Sequence, residues 1–271
     1  MSQHTALHTS SDQRLRFGGI VRSEFLKFRT VISHLVMGIA VLAMMAGFGF
    51  IGALSINYSE TLGTSLDMLR NSAQGIGGAG MSFTSMLFAS WAVIFIGSEY
   101  STRSIYTSLT IVPRRSALYI AKFIVVSFIG FFWGFICAAI SFGIGSLAII
   151  PELSPQLNSG VLLNWVAVGL YCMFVSWMGL GFGSLLRNNA GGIILSVITI
   201  LVTYIVFLLF LPWDWAKDFT NYLPLPVGSE LISYGKADDA KISYTMAASI
   251  LALWGAVPAF FGYLRFRFTD S

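Results

Sequence analysis

Residues 82–98 and 123–150 contain no Asp, Glu, Lys or Arg, and between them lies a polar stretch, residues 99–122, that holds Glu99, Arg103, Arg114, Arg115 and Lys122. Inside a bilayer the backbone has no water to bond, so long uncharged runs cross it as helices whose amides are satisfied internally. The polar stretch between two such runs must lie outside the hydrocarbon. The same test finds further runs, and the chain reads as an all-α polytopic membrane protein with six transmembrane helices. They lie near residues 31–54, 81–98, 123–150, 161–186, 190–211 and 246–264. The first has 24 residues, about 36 Å of helix at 1.5 Å per residue, enough for a core of about 30 Å. It is longer than the apolar part of a signal peptide, typically about 7–15 residues.

Composition agrees with this reading. The chain is 56% hydrophobic and 10% charged, whereas a soluble domain carries about 25% charge to cover its surface. The net charge of +4 raises the question of nucleic acid, but no basic patch stands free of the adjoining spans. The excess instead follows the positive-inside bias. Six spans put both termini on one side. Twelve Lys and Arg residues fall on that side, against Arg70, Lys217, Lys236 and Lys241 on the other. The termini and the island 99–122 are therefore expected in the cytoplasm.

Residues 1–13 are polar and read as a disordered cytoplasmic tail, leaving 14–271 as a single transmembrane domain. Phe17, Val21, Phe25 and Phe28 recur at helical spacing, while Arg16, Arg22, Ser23 and Lys27 occupy much of the remaining surface. With Glu24, they make an N-terminal interfacial amphipathic helix, its apolar stripe towards lipid and its basic side towards the headgroups. His34 is expected to pack near the membrane surface. Cys137 and Cys172 lie in apolar runs as small buried hydrophobes, with no disulfide or metal spacing.

The outer connections are less determined. Residues 55–80 read as a polar loop whose glycine-rich end, 75–80, is a flexible return to the membrane. In residues 212–245, Trp213 and Trp215 suit an aromatic belt, and 222–230 either dips back as a partial helix or stays an external loop. Gly179, Gly181, Gly183 and Ser184 permit close helix approach.

Several chemistries are missing. No expected span carries a charge away from its ends, so a coupling group for proton or sodium transport is not evident, although backbone carbonyls can also bind sodium. The sequence has no phosphate-binding loop, no His-Glu-x-x-His and no Gly-x-Ser-x-Gly elbow. No residue is assigned to catalysis, metal or cofactor, and energy for uphill movement would have to come from another polypeptide.

Glu99 at the end of the second span, a short helix, then Pro113, Arg115 and, seven residues on, Lys122 make an ordered set. Together with Tyr119 and Ala121, with the segment 23–29 and with the six-span layout, that set resembles the permease subunits of ABC-2 type exporters. One departure is Arg103-Ser104, where many relatives carry Gly-Thr. The resemblance implies a short cytoplasmic coupling helix between spans 2 and 3 that docks on a separate ATPase subunit holding ATP and magnesium. It also implies a second permease subunit in a homo- or heterodimer, and a place in a bacterial plasma membrane. Glu99, Tyr100, Arg103, Pro113, Arg114, Arg115 and Lys122 are then the candidate ATPase-coupling surface. Simple positive-inside anchoring is the alternative for Arg114 and Arg115, and snorkelling to the interface is the alternative for Lys122. The implied function is export of an amphiphilic or hydrophobic cargo, such as a drug, lipid or peptide, by alternating access. A non-transporting scaffold or sensor subunit, or a channel or secondary transporter, are the rivals.

Overall fold

The computed structural model describes residues 17–102, 104, 115–233 and 242–268. Among these residues there are ten helices and no strand. They are α1 (Phe17–Thr30), α2 (Ile32–Thr61), α3 (Leu66–Gln74), α4 (Met81–Ser101), α5 (Arg115–Ala148), α6 (Ser159–Leu186), α7 (Asn189–Leu208), α8 (Asp214–Thr220), α9 (Pro224–Ile232) and α10 (Tyr244–Phe268). Six of them, α2, α4, α5, α6, α7 and α10, are long and apolar enough to cross a membrane. The expected tail 1–13 and most of the expected coupling helix, with Arg103, Pro113 and Arg114, lie outside the described residues.

α6 is the centre of the bundle and packs on α10, α5 and α4, while α2 leans on α5 and α7 on α6 and α4. Little backbone polarity is left for lipid. Within the spans Ser90, Ser127, Ser176, Ser184 and Ser196 each donate to the carbonyl four residues back, so hydroxyls enter the apolar interior already satisfied. The glycines of α6 do what their spacing suggested. A Cβ on Gly179 would overlap the Ala89 carbonyl of α4, and one on Gly181 would overlap the backbone of Pro258 in α10. Their absence of side chain lets three helices meet backbone to backbone.

Span boundaries shift from the sequence reading in ways the contacts explain. α2 continues seven residues past the expected end, and Asn57 fastens that extension: its Nδ2 donates to the Ala148 carbonyl at 2.8 Å and its Oδ1 accepts from Ile150 N–H at 3.1 Å. The expected loop 55–80 is thus largely helix, and its glycine-rich end is packed rather than loose. Ile76 is buried within a short 3₁₀ turn, Ile76–Gly78, and Gly80 takes φ +72 against Phe48. The left-handed backbone at Gly80 is open to glycine at little cost. α5 begins at Arg115, eight residues before the expected third span, so the second part of the island is the first two turns of a 34-residue helix.

The connection after α7 folds back on the bundle. Leu223, Val227 and Leu231 are buried as α9 packs on α6 and α10, with the Tyr171 ring seated on Gly228. Trp213 and Trp215 are exposed and stand among Phe207 and Phe210, as an aromatic belt would require.

Candidate functional site

A helix is present over the expected stretch as α1, but its inward face differs from the aromatic stripe. Ile20 and Glu24, one turn apart, are its buried residues, whereas Phe17, Phe25 and Leu26 are exposed. Val21 and Phe28 are partly buried against the core, and Phe25 meets Phe128 edge-on at 6.3 Å. A carboxylate occupies the inward side because cations wait there.

Glu24 Oε2 accepts from Lys122 Nζ at 2.6 Å, and Glu24 Oε1 accepts from Lys27 Nζ at 2.7 Å. Both ammonium groups also donate to Glu99 Oε1, Lys122 at 2.7 Å and Lys27 at 2.8 Å. Two acids and two bases therefore alternate in a closed ring contributed by α1, the last turn of α4 and the second turn of α5. Lys122 is 0% exposed and Glu24 1%; isolated, either charge would be very costly to bury. The ring is neutral as a whole, so every charge meets an opposite one. Lys122 also lies 5.0 Å from the centroid of the Phe95 ring. Lys27, with 38% of its side chain exposed, is the member that reaches water. Burial would push its ammonium pKa down, but the Glu99 and Glu24 carboxylates outweigh burial and hold it above the usual lysine range.

Lys122 thus does not snorkel to the interface: its partners are inside the protein. Glu99 also finds its cations within the chain, although its Oε2 has no hydrogen-bond partner among the described residues. The sequence put Glu99 and Lys122 on one candidate surface and Glu24 and Lys27 on another; the fold brings all four together. The signal for the ring was faint but present. On the side of the island the only acids are Asp12, Glu24, Glu99 and Asp270, few enough for each to be sought by the surrounding bases.

Around the ring the helix ends are fastened further. Tyr119, one turn before Lys122, donates from its hydroxyl to the Ala259 carbonyl of α10 at 2.8 Å. Tyr263 of α10 donates to Ser116 Oγ at 3.1 Å. The Arg187 guanidinium, just past α6, stands 5.5 Å from the centroid of the Tyr100 ring at the end of α4. His34 is buried, stacked on Phe28 at 5.8 Å and packed against Phe95 at 5.5 Å, which is the packing role expected of it at greater depth. Arg115 opens α5 beside these contacts. Among the described residues no group of three or more His, Cys, Asp or Glu could hold a metal ion.

The arrangement ties three helices together through paired charges. Its anions and cations are consumed by one another, and what they join is three helices at the edge of a polar island. A comparison with curated proteins finds no match for this chain. A family model described as "ABC-2 family transporter protein" matches residues 20–204, more than half of the chain, and the matched stretch contains all four residues of the ring. Six apolar helices, a polar island fastened at the ends of α4 and α5, and that match lead to one conclusion: this multi-pass membrane protein belongs to the ABC-2 family of transporter membrane proteins.

Proposed function

We propose that the chain is the transmembrane subunit of an ATP-driven exporter, working with a second permease subunit and a separate ATPase, and moving an amphiphilic or hydrophobic cargo by alternating access. The observation that carries this reading is the neutral charge ring. It ties α1, α4 and α5 where the island leaves α4 and enters α5. A push delivered to the island by an ATPase would then move three helix ends as one body. Buried ion pairs lose their partners only at high cost, so such a joint resists slipping under load. Tyr119 and Ser116 extend it to α10. The apolar interior, where among the described residues the charged side chains beyond the ring stand only at the ends of the spans (Glu60, Arg115, Arg265 and Arg267), suits a cargo that is itself largely apolar. In this reading Tyr100, Arg103, Pro113, Arg114 and Arg115 face the ATPase, and Glu24, Lys27, Glu99 and Lys122 transmit its movement.

Co-expression with the cognate ATPase tests the reading. The ATPase is expected to co-purify with the intact chain and with the paired variant Glu99→Gln/Lys122→Met. ATP-dependent export of an amphiphilic dye into inside-out vesicles is expected from the intact complex and strongly reduced in the variant. An intact chain that retains no ATPase in any nucleotide state removes the exporter reading.

A further inference from the structure

Arg187, just past the end of α6, has φ 52 and ψ 25, and among the described residues it is the only non-glycine with a positive φ. In this conformation its N–H donates to the Gly183 carbonyl at 2.9 Å and closes α6. Glycine or asparagine takes such a backbone at low cost, whereas a longer side chain is strained in it. A charge that only marks the cytoplasmic side needs no particular backbone. The strain therefore calls for a task that the Arg187 side chain performs from this position.

The surroundings of the end of α4 supply one. Val93, Gly97 and Tyr100 recur at helical spacing on one face of α4, and the turn between α6 and α7 closes over that face. A Cβ on Gly97 would overlap Asn189 Oδ1, one on Gly192 would overlap the Val93 side chain, and one on Gly183 would overlap Ile96. Arg187 completes the contact with its guanidinium 5.5 Å from the centroid of the Tyr100 ring, inside the reach of about 6 Å for cation–π attraction. Glu99 leaves α4 from a different face, towards Lys27 and Lys122. The end of α4 is thus gripped twice, by α1 and α5 through charge and by the α6–α7 turn through close packing and an arginine. The start of α7 would register any loosening: Gly191 N–H donates to Asn188 Oδ1 at 3.2 Å and Gly192 N–H to the Asn188 carbonyl at 3.0 Å.

We propose that Arg187 is a positioning residue: its guanidinium holds the Tyr100 ring and so seats the cytoplasmic end of α4 in the α6–α7 turn, giving α4 a fixed side against which the charge ring moves. Only that last clause rests on the exporter reading. The seat itself needs neither ATPase nor nucleotide.

Hydrogen–deuterium exchange of the purified full chain in phosphatidylcholine nanodiscs tests the seat, because local opening shows as faster exchange. Tyr100→Leu alters no charge, Tyr100→Phe keeps the aromatic face, and Arg187→Asn removes the guanidinium while suiting the backbone. Tyr100→Leu and Arg187→Asn should each speed exchange of amides 190–194 about fivefold, the factor that about 1 kcal/mol of cation–π attraction supplies. Tyr100→Phe should leave it unchanged. The paired variant Tyr100→Leu/Arg187→Asn should exchange no faster than either single one. Unchanged exchange in Tyr100→Leu overturns the proposal, since Arg187 is then a topological charge alone. So does a strictly additive pair, or faster exchange spread evenly over α6 and α7. Should Tyr100→Leu fail to fold, Arg187→Asn decides by the same criterion. In the complex with the ATPase, Arg187→Asn should lower ATP-dependent dye export about fivefold with the ATPase still bound, and undiminished export overturns the part the seat plays in movement. An intact complex that exports nothing removes the exporter reading instead, and the exchange measurements still judge the seat.

Discussion

Lys122 has two carboxylates within 2.7 Å and no contact with water. Replacing it alone strands Glu24 and Glu99, with only Lys27 to share between them. Lys122→Met should therefore cost about 3–5 kcal/mol, as broken buried pairs do. Removing an opposite charge as well, in Glu99→Gln/Lys122→Met, leaves the Glu24–Lys27 pair neutral and should recover much of that loss. Thermal unfolding in detergent of Lys122→Met, Glu99→Gln and the paired variant reads this, and strictly additive costs would argue against the ring. A second expectation concerns pH. The folded-state pKa of Lys27 is raised, so its contribution is complete below the unfolded value of about 10.4 and is lost as pH rises through the folded value. Stability should accordingly hold steady through neutral pH and fall only in strongly alkaline solution, with a smaller fall in Lys27→Met. Unfolding midpoints across alkaline pH measure it. At this scale the sequence was half legible. Glu99 and Lys122 stood out because they interrupt apolar runs. Glu24 and Lys27 did not, because partners 98 and 72 positions away leave no trace in the local periodicity of one helix.

The elements are held by close backbone approach as much as by side chains. Gly181 of α6 abuts Pro258 of α10, whereas Gly143 of α5 has nothing within 4 Å of where a Cβ would stand. Gly181→Ala should push α6 from α10 and cost about 1–3 kcal/mol, as overpacking does. Gly143→Ala should be neutral or stabilising by up to about 1 kcal/mol, the helix-propensity gain. Melting temperatures of the two single variants separate the cases, and equal effects would contradict the packing. The six long helices were legible because lipid demands continuous apolar runs. The shorter ones were obscured by ambiguous residues. α9 opens Pro-Leu-Pro, which left the stretch open between a partial helix and an external loop, yet the first N–H groups of a helix have no intrahelical acceptor and proline loses nothing there. α3 carries Asp67 and Arg70 and reads as a solvated loop until Leu69 and Ala73 are seen to be buried on one side.

For the whole molecule, the order of spans and the resemblance to ABC-2 permeases were legible from 271 residues of sequence. The way force would cross the molecule was not, because it depends on where α1 docks. With α1 tied to α4 and α5, the N-terminal helix would, in the proposed exporter, move with the island rather than float passively on the membrane. A spin label at Leu26→Cys on α1 and another at Ile194→Cys on α7 stand at exposed positions, while both native cysteines are buried. Electron–electron distance measurement in the complex with its ATPase, nucleotide-free and ATP-trapped, then follows α1 directly. A shift in the 26–194 distance on ATP trapping that disappears in Glu99→Gln/Lys122→Met, with the ATPase still bound, is the result expected of a joint at the charge ring. An equal shift in the variant, or none in the intact complex, would contradict it.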